Sequence, residues 1–187
     1  MARTVTIDSP LPDNDALSVG SVFRTYGAEV ARWAARLGGP RLDVEDVVQE
    51  VFAVVCRKLH GFQGDSKVET WLFGITDNVV RNQRRRAAVR RILVGWSDNL
   101  AEMPSQAPTP LEDIEARQRA ARAYEVLDRL PDKYRRVMIL FELEQLTSEE
   151  IAALLGAKPN TVRVWLFRAR EKFLACQRKL EETEERR

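Results

Sequence analysis

Apolar side chains recur along most of this chain at intervals of three and four residues, which is the periodicity of an amphipathic α-helix. One apolar stripe precedes the helix-stopping sequence Gly38-Gly39-Pro40 and consists of Phe23, Tyr26, Val30, Trp33 and Leu37. A second stripe follows Asp43, whose side chain suits an N-cap, and consists of Val44, Val47, Val48, Val51, Phe52 and Val55. No segment alternates convincingly between apolar and polar side chains, so the pattern predicts an all-α protein.

A third helix is predicted within residues 64–91. Ser66 with Glu69 three residues later forms a capping-box pattern at its start. Its apolar stripe consists of Trp71, Leu72, Ile75 and Val79. Phe62 and Phe73 lie off this stripe, which makes them candidates for stacking on nucleic-acid bases.

The end of this third helix carries six arginines and no acid: Arg81, Arg84, Arg85, Arg86, Arg90 and Arg91. One or two cations at a helix C-terminus complement the helix dipole, and the run could be a solvated helix end of that kind. Six guanidinium groups this close together repel one another unless an anion lies nearby, and a nucleic-acid backbone is the obvious anion. The run therefore favours a contact with nucleic acid.

The apolar periodicity breaks between residues 94 and 110, where prolines and small polar residues offer no apolar face. We predict a flexible linker there, with a root-mean-square span of about 20–25 Å. It would join two small helical domains, 17–93 and 111–180, and two domains on such a tether could contact distant sites on one ligand. Residues 1–16 are predicted to form a loose tail and residues 181–187 a charged tail.

In the second domain, helices are predicted on either side of Leu130-Pro131, followed by a helix-turn-helix at residues 146–172. Thr147 with Glu150 forms a second capping-box pattern, Gly156 supplies a left-handed helix end, and Pro159 begins the second helix. That helix would enter a DNA major groove, with its N-terminal residues at the base edges and basic side chains on the phosphates. The candidate DNA-contacting residues are Lys158, Asn160, Thr161, Arg163, Trp165, Arg168, Arg170 and Lys172. Two alternatives stay open: a helical hairpin used only for packing, and a Trp165 that packs beneath the preceding helix.

Composition narrows the function classes. The net charge is +2, so positive charge matters by its location rather than by its total. Two distant cysteines, Cys56 and Cys176, and one histidine, His60, argue against a zinc site, and we expect no metal or cofactor. Cys56 lies beside the second stripe and is expected to be partly buried. No signal-peptide pattern and no apolar run of roughly 20 residues is present, which predicts a cytoplasmic protein without stable membrane insertion.

Three segments together carry a family resemblance: DVEDVVQEVF (43–52), FQGDSKVETWLFGITDNVVRNQRRR (62–86) and LPDKYRRVMILFELEQLTSEEIAALLGAKPNTVRVWLFRAREKF (130–173). In this order and separation they resemble the extracytoplasmic-function (ECF, group IV) sigma factors of bacterial RNA polymerase. The resemblance implies a non-catalytic promoter-specificity subunit, with sigma region 2 in the first domain and region 4 in the second. It also implies three partners: core RNA polymerase, promoter DNA and an anti-sigma factor.

The resemblance implies roles for individual residues as well. An acidic face that spacing alone would assign to ordinary surface matches the motif that docks on the clamp helices of the largest polymerase subunit: Asp46, Gln49 and Glu50. The loop 61–67 matches the loop that captures a flipped base of the minus-ten element. The minus-ten residues implied are Phe62, Gln63, Asn78, Arg81, Arg84, Arg85 and Arg86. The helix after Pro159 matches the minus-thirty-five reader.

Some positions depart from the family pattern. Gly74 stands where a basic side chain is common, and Asp77 places an acid near the presumed DNA path. Val164-Trp165 replaces a small polar and basic pair in the recognition helix. The general role survives these changes, but the promoter sequence that is recognised does not follow from them.

Two other functions compete with this one. A stand-alone helix-turn-helix regulator would normally require symmetric dimerisation, and no segment marks a dimer helix. A metal-dependent enzyme would have to use the carboxylates of Asp43, Glu45, Asp46 and Glu50, which have no histidine partner and no nucleophile–base pair beside them.

Overall fold

The structure, a computed structural model, describes residues 18–94 and 111–186, and these residues form α-helices joined by short turns. The helices are α1 (Val19–Gly38), α2 (Val44–Lys58), α3 (Val68–Val94), α4 (Leu111–Asp128), α5 (Asp132–Met138), α6 (Ser148–Leu155) and α7 (Pro159–Glu185). No β-strand occurs within these two ranges, and the all-α prediction is confirmed. The N-terminal tail and nearly all of the predicted linker lie outside the described residues.

The first domain is a bundle of α1, α2 and α3. Asp43 caps α2 as predicted, since its carboxylate accepts hydrogen bonds from the amides of Glu45 and Asp46 at 2.8 and 3.2 Å. Ser18 caps α1 in a capping box with Ser21, which the sequence analysis did not foresee. The side chains that fill the space between the three helices are Val30, Trp33, Leu37, Val47, Val51, Val55, Leu72, Phe73 and Val80.

Two aromatic residues of this domain differ in their solvent exposure from what the sequence predicts. Phe73 is only 1% exposed, and its ring meets that of Trp33 edge-on with centroids 5.3 Å apart. It cannot stack on bases, because α3 packs against both α1 and α2 and buries a wider arc than its apolar stripe suggested. Phe23 is 53% exposed, and its ring meets that of Phe52 edge-on with centroids 4.8 Å apart.

The start of α3 is also displaced from the prediction. The helix begins at Val68, and the amide of Trp71 donates to the carbonyl of Lys67. Lys67 therefore occupies the N-cap position, and the predicted box of Ser66 and Glu69 is out of register by one residue.

The second domain contains α4 to α7. Pro131 lies at the N-cap of α5, one residue before the predicted position, and α5 continues into a π-helical turn over Ile139–Leu143. The predicted capping box of α6 is confirmed: the amide of Glu150 donates to Thr147 Oγ1 at 3.3 Å, and the amide of Thr147 donates to Glu150 Oε2 at 2.8 Å. Gly156 ends α6 with φ +62°, and α7 continues to Glu185 through the residues predicted as a charged tail.

The two domains pack against each other. Tyr124 of α4 donates a hydrogen bond from its hydroxyl to the carbonyl of Arg36, 3.0 Å away, and Arg135 of α5 donates to the carbonyl of Leu37 at 2.6 Å. A Cβ atom at Gly39, where φ is +74°, would lie 2.7 Å from the Tyr124 ring, so glycine is needed here for both backbone and space. The two helical domains expected from the sequence are therefore both present, and in this structure they are in contact.

Candidate nucleic-acid interface

The acidic face of α2 is presented to solvent beside the arginine-rich half of α3. Asp46 and Gln49 are exposed, whereas Glu50 is half-buried. Glu50 accepts a hydrogen bond from Gln83 at 2.9 Å and lies 3.8 Å from the guanidinium of Arg86. The capping of α2 by Asp43 fixes the first turn of this face, and contacts with α3 fix its middle.

The loop before α3 places an aromatic pair at the start of that helix. The rings of Phe62 and Trp71 lie with centroids 5.1 Å apart at an interplanar angle of 44°, and both side chains are half-buried. Gln63 is exposed, and Gly64 has φ +78°, a backbone conformation that residues other than glycine rarely adopt. The loop is therefore a tight turn with a polar outer surface, and the rings of Phe62 and Trp71 form its inner, aromatic floor.

An exposed polar face continues from this loop along α3. Asn78 and Arg85 lie on it, two helical turns apart, and both are exposed. Gly74, one turn before Asn78, has no atom within 4 Å of the place where its Cβ would be. The missing side chain leaves open space in the middle of the face, between the loop and the arginines.

The four arginines assigned to the minus-ten contact do not share one environment. Arg84 lies 3.0 Å from Asp128, Arg81 lies 3.9 Å from both Asp77 and Asp132, and Arg86 pairs with Glu50 as described above. Arg85 is exposed, and among the described residues no carboxylate lies within 4.0 Å of its guanidinium. The sequence window that suggested uncompensated arginines was misleading, because the compensating acids come from other segments of the chain.

Asp77, the acid noted as a departure, is buried where α3 meets α5. Its carboxylate accepts a hydrogen bond from Arg136 Nη1 at 2.6 Å. Burial raises the pKa of Asp77, although the neighbouring guanidinium groups of Arg136 and Arg81 act in the opposite direction. This residue faces the second domain in the structure, away from the exposed face of Asn78 and Arg85.

The helix-turn-helix presents most of its predicted DNA-contacting residues to solvent. The exposed ones are Lys158, Asn160, Arg163, Arg168, Arg170 and Lys172, and Thr161 is half-buried. Arg163 bridges Asn160 Oδ1 at 2.8 Å and Glu149 Oε1 at 2.5 Å, which holds its guanidinium beside the helix start. Arg170 donates to Glu142 at 2.8 Å and lies over the Phe141 ring. Trp165 packs against the hydrophobic core and is half-buried, in line with the packing alternative.

Two exposed apolar residues in the first half of α7 were not among the predicted DNA contacts. Val164 is 48% and Phe167 is 65% exposed. They follow Asn160 by four and seven residues, so they share its helix face with Arg163. This spacing is visible in the sequence, but the polarity and charge that mark a DNA-contacting residue do not point to an apolar side chain, which can contact the methyl group of thymine.

Within the described ranges, no group of three or more His, Cys, Asp or Glu side chains is placed to hold a metal ion. Cys56 is exposed, contrary to the expected partial burial, and both it and Cys176 are free. None of the helices in the described ranges is both long and apolar enough to cross a bilayer.

Comparison with known proteins agrees with this architecture. The family model for sigma-70 region 2 matches residues 22–90, and that for sigma-70 region 4 matches residues 120–173. RNA polymerase sigma factor NccH of Alcaligenes xylosoxydans xylosoxydans is 33% identical over 162 residues, covering 86% of this chain and 87% of NccH. The ECF RNA polymerase sigma-E factor of Escherichia coli strain K12 is 37% identical over 142 residues, 71% of this chain and 72% of that protein. The solved structure of CnrH in complex with the cytosolic domain of CnrY has a TM-score of 0.56 and 26% identity, and the match covers 84% of this chain and 85% of that one.

Both family models match in the order that the sequence motifs predicted, one on each domain. The identity with NccH extends over most of both chains, so it is not confined to a helix-turn-helix. A stand-alone helix-turn-helix regulator would not account for the match to region 2. The chain belongs to the extracytoplasmic-function sigma factors of bacterial RNA polymerase, within the sigma-70 family.

Proposed function

We propose that this sigma factor directs polymerase to promoters through three separate surfaces on α2, α3 and α7. The observation that carries the proposal is the continuous surface formed by the loop 61–67 and the exposed face of α3, next to an acidic face on α2. Residues 17–93 would act as region 2 and residues 111–180 as region 4, joined by the linker 94–110. The chain has no chemistry of its own in this role, and it acts in the bacterial cytoplasm.

The polymerase contact is assigned to the acidic face of α2. Asp46 and Gln49 are exposed and free to meet a basic partner, and Glu50 is held in place by Gln83. Charge complementarity at such a surface contributes to orientation and association rate. We therefore assign to these three residues the docking on the clamp helices of the largest polymerase subunit.

The minus-ten contact is assigned to the loop and α3. A base flipped out of the duplex costs a few kcal/mol in lost stacking, and an aromatic floor such as Phe62 and Trp71 returns part of that energy. Asn78 has a side-chain amide that can pair with a base edge, and Gln63 lies exposed in the loop. Arg81, Arg84, Arg85 and Arg86 bind the flanking phosphates in the DNA complex.

The minus-thirty-five contact is assigned to α7. Its N-terminal half would lie in the major groove, with Asn160 and Arg163 at the base edges and with Val164 and Phe167 against thymine methyl groups. The residues assigned to phosphates or to the groove wall are Lys158, Thr161, Arg168 and Arg170. Trp165 supports the helix from within the domain.

A protein partner also follows from the comparison with CnrH, whose solved structure includes the cytosolic domain of CnrY. We infer that an anti-sigma factor binds this chain too and controls its access to polymerase. Co-purification with candidate proteins, followed by loss of transcription on their addition, tests this inference.

Run-off transcription on a promoter library, with purified core polymerase and with or without this protein, tests the main proposal. Protein-dependent transcripts that share a two-part upstream motif are the expected result. Specific DNA binding without polymerase, together with no added transcripts, would contradict it and favour a stand-alone regulator. Glu171→Gln, an exposed change on α7 outside the assigned surfaces, serves as the control variant.

Two single variants separate the assigned surfaces. Asn78→Ala should relax discrimination at one minus-ten position while core polymerase still binds. Asp46→Ala should weaken core binding and leave the promoter motif of the remaining transcripts unchanged. If Asn78→Ala prevents assembly with polymerase instead, that face of α3 has been misassigned.

A further inference from the structure

The guanidinium of Arg163 is held from two sides by the protein itself. Its Nη1 donates to Asn160 Oδ1, three residues earlier on α7, at 2.8 Å, and its Nη2 donates to Glu149 Oε1, in the first turn of α6, at 2.5 Å. The two acceptors belong to different helices of the helix-turn-helix, so they fix the guanidinium relative to both helices. A long and flexible side chain is thereby confined to one place at the start of α7.

The ion pair between Arg163 and Glu149 contributes little to the stability of the fold. Each of the two side chains is 57% exposed, and exposed pairs gain little from their attraction in water. Glu149 is not needed to cap α6 either, because the capping box of that helix consists of Thr147 and Glu150. The pair therefore acts on the position of the guanidinium rather than on the fold.

The anchored guanidinium still has donors for a base. Of its five N–H groups, the bonds to Asn160 and Glu149 use two, and a bidentate contact with O6 and N7 of guanine needs two more. Holding the side chain in place removes part of the entropy cost of ordering it on binding. The carboxylate also offsets charge that would otherwise attract the phosphates of any sequence. Both effects favour recognition of a base over non-specific binding.

Arg170, two helical turns further along α7, pairs with a carboxylate in a different way. Its Nε and Nη2 both donate to one oxygen, Glu142 Oε1, at 3.2 and 2.8 Å, and its guanidinium lies over the Phe141 ring. The two side chains of this pair are about as exposed as those of the Arg163 pair. Arg170 is assigned above to phosphates or the groove wall, so its pair provides an internal comparison for a base-reading arginine.

We propose that Glu149 is a positioning residue for minus-thirty-five recognition, which orients Arg163 so that the protein selects guanine at one position of that element. Asn160 supports the same orientation from within α7. Glu149 acts through Arg163 and does not contact the base. This inference rests on the minus-thirty-five role assigned above to Arg163.

The test measures base preference position by position. Holoenzyme binds a library of promoter duplexes randomised over the minus-thirty-five element, the bound DNA is sequenced, and a duplex of scrambled sequence gives the non-specific affinity. Arg163→Ala identifies the position that Arg163 reads as the one where preference for guanine is lost. Glu149→Ala should reduce the preference at that same position by roughly two- to tenfold, the range for ordering one flexible side chain, and should leave the other positions unchanged.

Glu142→Ala is the matched control, because it removes the same charge from a comparably exposed pair beside α7. Both alanine variants should bind the scrambled duplex at least as tightly as the wild type, but only Glu149→Ala should change the base preference. Glu149→Gln loses the charge and keeps an oxygen acceptor at the same reach, so it should retain more of the preference than Glu149→Ala. Added to Arg163→Ala, the Glu149→Ala change should have no further effect on base preference.

Full retention of the guanine preference in Glu149→Ala overturns the proposal, and so does selection of another base at the position that Arg163 reads. Equal losses in Glu149→Ala and Glu149→Gln, or in Glu149→Ala and Glu142→Ala, would assign the effect to charge alone and also overturn it. If Arg163→Ala changes the preference at no position, the base-reading role of Arg163 fails and the positioning role fails with it. If Arg163→Ala changes the preference and Glu149→Ala does not, only the positioning role fails.

Discussion

The arginines of α3 should differ from one another in how they respond to salt. Each phosphate contact releases counterions and adds about 0.9 to the slope of log affinity against log salt concentration for duplex DNA. Replacing Arg84, Arg85 and Arg86 together by alanine in the holoenzyme should therefore lower the slope by about 2.7 if all three bind phosphate.

The free chain should behave differently from the holoenzyme. Arg84 is engaged by Asp128 and Arg86 lies near Glu50, whereas Arg85 is exposed. Without polymerase, Arg85→Ala should therefore lower the slope by about 0.9, the value for one phosphate contact, and Arg84→Ala should change the slope little. The contrast between two neighbouring arginines removes most effects of total charge, because both variants lose one positive charge.

Fluorescence anisotropy of a labelled promoter fragment, titrated at a series of KCl concentrations with holoenzyme and with free chain, measures both slopes. Arg178→Ala is the matched control, because its side chain is exposed on α7 and is not assigned to DNA. An unchanged slope for the triple variant in the holoenzyme would show that these arginines do not contact DNA. Equal decreases in slope for Arg84→Ala and Arg85→Ala in the free chain would refute the claim that Asp128 sequesters Arg84.

Further predictions concern stability and are measured by urea or thermal unfolding. Thr147→Ala should lower the free energy of unfolding by about 1 kcal/mol through loss of the α6 cap, while Thr147→Ser should retain most of it. Gly74→Ala should raise the free energy of unfolding by about 0.4–1 kcal/mol, because alanine favours the helix and no neighbouring atom lies within 4 Å of the added Cβ. Phe73→Ala should lower the free energy of unfolding by about 3–5 kcal/mol, because it leaves a cavity in the core. Because burial raises the pKa of Asp77, the wild type should gain stability relative to Asp77→Asn as the pH falls through that pKa and lose it as the pH rises. A difference in melting temperature that does not vary with pH would contradict this last prediction.

Features whose partners lie within a few residues were predictable from the sequence. The N-cap of α2 depends on Asp43 and the next three residues, and the box of α6 depends on Thr147 and Glu150. Gly156 and Pro159 fix the turn of the helix-turn-helix by their backbone preferences alone. Sequence therefore located most of the helices and both motifs that carry the family resemblance.

The width of a buried helix face was not predictable in the same way. A periodic stripe shows which direction is apolar, but the arc that becomes buried depends on how many helices pack around it. The two helices that flank α3 bury Phe73 outside its stripe, whereas Phe23 of α1 contacts Phe52 and still stays half exposed. Neither outcome follows from spacing within a single helix.

The electrostatic partners of the arginines were hidden for a related reason. A window from residue 81 to residue 91 contains no acid, but Asp128 and Glu50 approach the same arginines through tertiary packing. Charge runs describe local sequence, whereas ion pairing depends on the fold. The residues that a sequence assigns to DNA can therefore be occupied by the protein itself.

Asp77 takes part in two ion pairs, one within its own helix and one across the contact between the two domains. An acid that faced the minus-ten DNA would repel phosphates. Asp77 instead pairs with Arg136 across the contact and also lies 3.9 Å from Arg81, four residues further along its own helix. Arg81 belongs to the same helix as Asp77, so it can compensate the carboxylate independently of Arg136. An acid placed four residues before an arginine can thus bind the second domain and also be compensated on its own helix, which is why an acid at this position is compatible with an arginine-rich helix.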